Sequence, residues 1–155
     1  MRKLITTLCI VHQDDKILIG MKKRGFGMGR WNGFGGKVKL SETIEVAAVR
    51  ETREEAGIEA RDLEKVGVID FEFQTNGEQI EVNIFKIKDF SGEPTESEEM
   101  RPQWFDIDNI PFSEMWPDDK FWMPMFLAGK KFKGQFLFGK KDVILEKELE
   151  EVEKI

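Results

Sequence analysis

The segment GKVKLSETIEVAAVRETREEAGI, residues 36–58, gives the clearest structural signal in the chain. From residue 41 to residue 56 it contains neither Gly nor Pro, and most of its residues favour helix. Thr43 supplies an N-cap side chain ahead of Ile44–Ala56, and Gly57 suits the left-handed residue that ends many helices. The sequence therefore predicts a helix over 44–56 with a defined cap at each end.

Projected as a helix, this segment has one face that begins apolar and continues acidic. The apolar positions are Ile44, Ala47 and Ala48, and the acidic positions that follow are Glu51, Glu54 and Glu55. Like charges three or four positions apart destabilise an isolated helix by about 0.2–0.5 kcal/mol per pair. Arg50 and Arg53 are expected to point elsewhere, so the cluster favours a bound cation. Oxygen ligands of high charge suit Mg²⁺ or Mn²⁺ better than zinc.

The alternative for a glutamate-rich helix is a solvated surface without a ligand. The spacing of the charged and glycine residues favours the metal site over this alternative. These residues are Gly36, Glu42, Arg50-Glu51, Glu54-Glu55 and Gly57-Ile58. This pattern resembles the Nudix box, the signature of hydrolases that cleave nucleoside diphosphates linked to another group. Thr52 stands where the box prefers an aliphatic residue, a departure that affects packing more than chemistry.

The composition is that of an ordinary globular domain, and it limits the range of partners. The 155 residues are 40% hydrophobic and 35% charged, with a formal net charge of −6. This charge disfavours polymeric nucleic acid, whose binding depends on cations that contact phosphates. The basic residues Lys22, Lys23, Arg24 and Arg30 are still able to meet one small phosphorylated ligand. We therefore expect one monomeric domain over residues 1–155 with a small-molecule partner.

The single cysteine and the single histidine exclude two classes of site. Cys9 lies in an apolar run and is predicted to be a buried core residue, so a disulfide framework is excluded. His12 lacks the Cys and His partners of a zinc site. No stretch is long enough to cross a membrane, and the chain becomes polar too early for a secretion signal. These features predict a cytoplasmic protein, with a mitochondrial or nuclear fraction left open.

Hydrophobic alternation and turn residues predict the remaining elements. Strands are expected at 4–11, 17–21, 65–74, 79–88, 102–107, 132–138 and 143–152, and a second helix is expected at about 117–128. Three pairs of successive strands are expected to form hairpins, one of them through the Asn-Gly pair at 76–77. The order predicts an α+β (mixed α/β) domain in which helices cover both faces of one sheet.

A glycine-rich segment, residues 22–37, leads into the acidic helix. Six of its sixteen residues are Gly, yet it fits neither GxxxxGK[ST] nor a complete GxGxxG. Glycine permits the backbone to approach a phosphate or a metal closely. Phe26, Trp31 and Phe34 are placed either to bracket a nucleobase or to pack in the core.

The resemblance extends beyond the box. The strings GMKKRGFG at 20–27, RWNGFGGKV at 30–38 and MWPDD at 115–119 resemble the MutT-homologue branch of the Nudix hydrolase family. Members of that branch hydrolyse oxidised purine nucleoside triphosphates to the monophosphate and pyrophosphate, which keeps mutagenic precursors out of DNA. The resemblance implies an α/β/α sandwich around a central mixed sheet.

The resemblance also assigns roles to individual residues. The implied metal ligands for Mg²⁺, or for Mn²⁺ in its place, are Glu51, Glu54, Glu55, Glu99 and the backbone of Gly35. Arg50 is expected to orient Glu51, and either Glu55 or Glu99 to orient the attacking water. The residues implied to bind substrate are Thr7, Lys22, Asn32, Phe34, Gly35, Gly36, Lys37, Phe71, Phe73, Met100, Trp116, Pro117, Asp118, Asp119 and Trp122.

Asp118 and Asp119 carry the most specific of these expectations. Two adjacent carboxylic acids in an aromatic pocket do not both ionise easily, because desolvation and mutual repulsion raise at least one pKa. Exchange of one proton between them would allow the pair to recognise either an oxidised guanine or an oxidised adenine. The alternative is that they only begin the second helix, near its favourable positive end.

Three other functions are kept open. One is a Nudix hydrolase for another nucleoside diphosphate derivative, such as ADP-ribose or a dinucleoside polyphosphate, which needs room for a second sugar or nucleoside. Another is a non-catalytic nucleotide-binding module, which is expected to lack some of the metal carboxylates. The last is an inert structural domain, in which the aromatic and glycine-rich segments would have no purpose.

Overall fold

One mixed β-sheet and two α-helices make up the part of the chain described by the computed structural model, residues 3–155. The strands are β1 (Lys3–Gln13), β2 (Lys16–Lys22), β3 (Trp31–Asn32), β4 (Glu59–Phe73), β5 (Glu78–Ser91), β6 (Met100–Asp106), β7 (Lys131–Phe138) and β8 (Ile144–Val152). The helices are α1 (Ile44–Ala56) and α2 (Asp119–Leu127). Within these residues, neither helix has the length and apolar character needed to cross a membrane. The predicted α+β class is confirmed.

Helix α1 begins and ends where its caps predict. The Thr43 hydroxyl accepts a hydrogen bond from the Val46 N–H at 3.2 Å. At the other end Gly57 has a left-handed φ of 71°, and its N–H donates to the Arg53 carbonyl. The helix presents fully buried alanines to the sheet, so it lies close to the strands and holds its glutamates in fixed positions.

The sheet has the order β3-β2-β1-β5-β4-β7-β8, and β6 pairs with β2. Strand β1 runs parallel to β5, and β4 runs parallel to β7. The three predicted hairpins, β1–β2, β4–β5 and β7–β8, are present as antiparallel pairs. The sheet is therefore mixed, and its central strands come from distant parts of the sequence.

Alternate residues of β1 point into two different cores. Ile10 belongs to a core that includes Trp122 of α2, whereas Cys9 and Val11 belong to a core that includes Ala48 of α1. Successive side chains of a strand point to opposite faces of the sheet. The two helices therefore cover opposite faces, which is the predicted three-layer arrangement, and Cys9 is a buried core residue as predicted.

The last part of the glycine-rich segment, residues 33–37, follows β3 and lies beside residues 6–9 of β1. The N–H of Thr7 donates to the carbonyl of Gly36 at 2.9 Å, and Cys9 and Phe34 exchange hydrogen bonds in both directions at 2.6 and 2.8 Å. A Cβ at Gly35 would overlap the backbone of Thr7. At this position glycine is required because a neighbouring strand fills the space, rather than because a ligand does.

Several boundaries differ from the predictions. The sequence does not predict β3, a two-residue strand at Trp31–Asn32, because glycines interrupt any alternation around it. Strand β4 begins at Glu59 and β5 continues to Ser91, so both are longer than predicted. Helix α2 begins at Asp119, after Pro117 rather than at it, and it contains a proline in its interior.

Candidate active site

Glu55 is the most enclosed carboxylate of α1, with only 5% of its surface exposed. Its Oε1 accepts the N–H of Gly35 at 2.9 Å, and its Oε2 lies 3.7 Å from the Nζ of Lys22. Burial, reinforced by the charges of Glu51 and Glu99, raises the pKa of Glu55 to about 7. Glu55 can therefore take up or release a proton near neutral pH.

Arg50 holds three carboxylates around one guanidinium group. Its Nε and Nη2 each bind an oxygen of Glu42 at 2.7 Å, and its Nη1 binds Glu51 at 2.9 Å and Glu54 at 3.2 Å. The bidentate hydrogen bonds lower the pKa of Glu42 to about 2. The prediction that Arg50 points away from the glutamates is therefore wrong, whereas the expected hydrogen bond to Glu51 is present.

Glu99 lies next to Met100, where β6 begins, and contacts basic residues. Its carboxylate accepts hydrogen bonds from Arg24 at 2.8 Å and Lys22 at 3.1 Å, which hold the pKa of Glu99 below its usual value. Since Lys22 also lies beside Glu55, this ammonium group stands between the two carboxylates. The remaining ion pairs of the basic residues are Lys23 with Glu96, Arg24 with Glu98 and Arg30 with Asp142.

The predicted metal ligands are neighbours but do not form a ready cage. Among residues 3–155, no group of three or more acidic, His or Cys side chains is gathered closely enough to hold a metal ion. Glu51 nevertheless lies against the glycine-rich segment, where a Cβ at Gly36 would be only 2.6 Å from its carboxylate. The donors are all oxygens, and burial together with the charges of Glu51 and Glu99 raises the pKa of Glu55, so a nearby cation would favour its ionised form. The chemistry of these residues suits a hard divalent cation.

A cleft of about 440 Å³ opens between the sheet and the start of α2. Aromatic and aliphatic side chains supply most of its walls, and a few polar groups are set among them. This combination is typical of sites that bind small organic molecules. Glu55 also lines the cleft, so the cleft and the carboxylates of α1 are continuous.

Asp118 and Asp119 are both buried in this cleft, with 4% and 2% of their surfaces exposed. The Oδ2 of Asp118 accepts the indole N–H of Trp122 at 2.8 Å, and within the described residues it caps no helical N–H. Desolvation raises the pKa of both carboxyls, and the charge of Asp118 raises that of Asp119 further. The Asp118 side chain therefore does not cap α2.

Two buried polar atoms of the cleft lack hydrogen-bond partners within residues 3–155. They are the Oγ1 of Thr7 and the Oδ2 of Asp119. A buried polar atom without a partner costs about 1–3 kcal/mol, so such atoms are rare unless a ligand or water binds them. The cleft therefore has two polar atoms able to bind a polar ligand edge.

Trp116 forms an aromatic wall of the cleft. Phe26 stacks on its indole with ring centroids 5.0 Å apart, and the rings of Phe73 and Phe138 lie 6.2 and 5.9 Å away. On the same indole, the guanidinium carbon of Arg30 lies 4.1 Å from the ring centroid. Of the three aromatic residues in the glycine-rich segment, Phe26 is the one that lines the cleft.

Most of the residues predicted to bind substrate meet in the cleft. Those that line it are Thr7, Lys22, Asn32, Gly35, Gly36, Lys37, Phe71, Phe73, Met100, Trp116, Asp118, Asp119 and Trp122. The prediction that Phe34 binds substrate is wrong, because its side chain is fully buried in the core beneath α1. Trp31 likewise packs in the core against Phe105, and Pro117 is absent from the lining residues.

The cleft also contains residues that the sequence does not single out. They are Leu4, Thr6, Leu8, Gly27, Gly33, Glu78, Ile80, Val82, Ile84 and Phe138. Ile80, Val82 and Ile84 alternate along β5, which predicts a shared face but not what that face covers. Phe138 pairs with Phe73 across two parallel strands, a contact with no local signature in the sequence.

Known proteins similar to this chain share its fold and much of its sequence. A model of the NUDIX domain matches residues 2–126. An oxidized purine nucleoside triphosphate hydrolase of Danio rerio is 56% identical over 149 residues, covering 96% of each chain. Its counterpart in Mus musculus is 55% identical over 147 residues, covering 95% of this chain and 94% of its own.

A solved structure gives the same result for the fold. The mutator MutT protein of Bacillus halodurans superposes with a TM-score of 0.85 at 26% identity, covering 95% of this chain and 97% of its own. The residues that match the NUDIX domain include the glutamates of α1, the glycine-rich segment and β1, β4 and β5, which line the cleft. The chain belongs to the Nudix family.

Proposed function

We propose that this protein hydrolyses oxidised purine nucleoside triphosphates, of the 8-oxo-dGTP and 2-hydroxy-dATP type, to the monophosphate and pyrophosphate. The reaction depends on Mg²⁺ and removes mutagenic precursors from the nucleotide pool. Relatives that are 55–56% identical over nearly the whole chain are named for this activity. The observation that carries the proposal is the pair of buried polar atoms without partners, on Thr7 and Asp119, inside an aromatic cleft that leads to the carboxylates of α1.

The cleft is assigned to the purine base. Trp116 offers an aromatic face on which a base can stack, and Asn32, Asp118 and Asp119 offer polar edges. Because the pKa of Asp119 is raised, its carboxyl can be protonated and donate a hydrogen bond while that of Asp118 accepts one. A proton on the other carboxyl reverses this pattern, so the pair is suited to both oxidised guanine and oxidised adenine.

The acidic end is assigned to the phosphates and the metal. We assign Glu51, Glu54, Glu55, Glu99 and the backbone carbonyl of Gly35 as ligands of Mg²⁺. A divalent cation bound there would offset the charge of the polyphosphate and lower the pKa of a bound water. Arg50 fixes the rotamer of Glu51, and Lys37 at the edge of the cleft supplies positive charge for a phosphate.

Glu55 is assigned as the group that takes the proton from the attacking water. Without metal, burial raises its pKa to about 7; a bound cation would lower this pKa and keep the carboxylate in the ionised form that accepts a proton. Gly35 fixes one oxygen of Glu55 through its N–H and leaves the other facing Lys22. Glu99 is held ionised by Arg24 and Lys22, which suits it to orient a water rather than to accept its proton.

The proposal extends to the molecule as a whole. We propose that residues 1–155 act as one catalytic domain, as a monomer, and in the cytoplasm. The cleft of about 440 Å³ is large enough for one nucleoside, and small-molecule sites generally occupy about 300–1,000 Å³.

The test is pyrophosphate release from a panel of nucleotides with and without Mg²⁺. We expect fast release from 8-oxo-dGTP and 2-hydroxy-dATP, slow release from dGTP and dATP, and none after the metal is chelated. ADP-ribose and a dinucleoside polyphosphate complete the panel; because neither releases pyrophosphate, their hydrolysis is followed by chromatographic separation of the nucleotide products. Faster hydrolysis of either of these than of the oxidised triphosphates would contradict the proposal.

A further inference from the structure

The indole ring of Trp116 packs against residues 26–30 of the glycine-rich segment. Phe26 stacks on the indole at 5.0 Å between ring centroids, and the guanidinium of Arg30 lies 4.1 Å from the same ring. Between these two residues, Gly27 has a left-handed φ of 84°, and a Cβ there would come within 3.2 Å of the indole nitrogen. A single short segment therefore contacts the ring at three places, of which only Arg30 supplies a charge.

Arg30 is itself held from the far end of the chain. Its Nη1 donates to the Oδ2 of Asp142 at 3.0 Å across 112 positions of sequence. Both side chains are about two-thirds covered, with 28% and 33% of their surfaces exposed. A cation is most effective over an aromatic ring when it is partly desolvated and cannot move away from it. Asp142 supplies that constraint.

The turn that presents Asp142 has an unusual backbone. Lys141 and Asp142 have φ values of 56° and 58°, in the left-handed region that most side chains avoid. The turn is closed by a hydrogen bond from the N–H of Gly139 to the carbonyl of Val143 at 2.7 Å. Aspartate and asparagine tolerate this conformation better than most residues. The turn therefore places a carboxylate beside Arg30 at a small conformational cost.

We propose that Arg30, held by Asp142, is a positioning residue that fixes the ring of Trp116 for stacking on the base. This role rests on the proposed function. Arg30 acts through Trp116 and takes no part in breaking the phosphoanhydride bond. A stacking surface stabilises the bound substrate and the transition state equally, so its loss raises KM and leaves kcat unchanged.

The experiment measures kcat and KM for 8-oxo-dGTP in Arg30→Gln, Asp142→Asn and the double variant. Asp142→Asn is the sharper substitution, because asparagine keeps the side-chain shape and the left-handed backbone and removes only the charge. We expect KM to rise about three- to tenfold in each single variant, with kcat within about twofold of wild type. The double variant is expected to match Arg30→Gln, because both substitutions break one linkage.

Glu151→Gln is the matched control. It removes an exposed ion pair with Lys130 at 3.2 Å on the same C-terminal hairpin, away from Trp116. KM is expected to stay unchanged in this control. Wild-type KM in both single variants would overturn the role of Arg30, as would additive effects in the double variant or a parallel fall in kcat. Failure of the wild-type protein to hydrolyse 8-oxo-dGTP would instead overturn the proposed function.

Discussion

The glutamates of α1 and the aspartates at the start of α2 carry the same functional group in opposite surroundings. Glu51 and Glu54 of α1, with Glu42 just before the helix, share the guanidinium of Arg50, which lowers the pKa of Glu42 to about 2. The two aspartates lie in an aromatic cleft, where burial raises the pKa of both and the charge of Asp118 raises that of Asp119 further. One region therefore gathers carboxylates around a cationic side chain, and the other favours the protonated form of its carboxyls.

Glu55 belongs to neither group and connects them. It is on the same helix as Glu51 and Glu54, yet it is buried like the aspartates, and its pKa is raised to about 7. The difference between the two regions thus arises from burial and the nearest cation, not from residue type.

Replacement of Glu55 is expected to have the largest effect. Glu55→Gln keeps the shape and removes the group assigned as base, so kcat for 8-oxo-dGTP should fall by about 10²–10⁴-fold. Steady-state kinetics with saturating Mg²⁺ measures this change. Glu45→Gln, in the first turn of the same helix and exposed, should keep wild-type activity. Near-normal kcat in Glu55→Gln would assign the base elsewhere.

Asp119→Ala tests the other region. It removes a buried carboxyl that is assigned to hydrogen-bond the base, so kcat/KM for oxidised purine triphosphates should fall by about 10–100-fold. The folded protein should survive, because the substitution also removes a desolvated carboxyl that repels Asp118. The exposed Asp108→Ala is the control, assayed on the same panel. An unchanged kcat/KM would mean that Asp119 serves α2 rather than the substrate.

Stability should depend on pH through Glu55. The pKa of Glu55 is about 7 in the folded protein, against an ordinary value of 4.5 that applies to the unfolded chain. Between these two pH values the folded protein keeps the Glu55 proton, whereas the unfolded chain has lost it. Stability therefore falls as pH rises towards 7 and then levels off. Without metal, we expect the wild-type Tm to drop by about 3 °C more between pH 6 and pH 8 than that of Glu55→Gln. Equal pH dependence of the two proteins would contradict the raised pKa.

Thr52→Val should have the smallest effect, since it involves neither region. Thr52 is fully buried and its hydroxyl donates to the Ala48 carbonyl at 2.8 Å, four residues earlier in the helix. Valine keeps the volume, restores an aliphatic residue to the box and leaves no unpaired donor. We expect unchanged kcat and a Tm within a few degrees, because a single such hydrogen bond contributes about 0.5–1.5 kcal/mol. Lost activity would give Thr52 a role beyond packing.

The sequence predicted the elements whose signals are local. The caps of α1 and the hairpins follow from neighbouring residues, and the structure agrees with them to within a few positions. The placement of most cleft residues was available only through the family resemblance. Trp116 and Thr7 lie 109 positions apart, and no periodicity links them.

The features that the sequence did not predict depend on parallel strand pairing and on contacts between side chains that are distant in sequence. Phe138 reaches the cleft because β7 runs parallel to β4, a pairing without a local signal. Phe34 was expected at the substrate and is instead in the core, since its strand-like hydrogen bonds to Cys9 turn its ring under α1. Arg50 was expected to contact only Glu51 among the glutamates, yet its long side chain also reaches Glu42 and Glu54.

The hydrogen bond from the Thr7 N–H to the Gly36 carbonyl has a consequence for substrate length. Thr7 lines the cleft that we assign to the base, and Gly36 lies against the carboxylate of Glu51, which we assign to the metal. Under the proposed function, the distance between base recognition and cleavage is thus set by peptide geometry, which side-chain motion cannot change. In a nucleotide with a longer spacer, the scissile bond would not lie at the residues assigned to the metal, even if the base bound in the cleft.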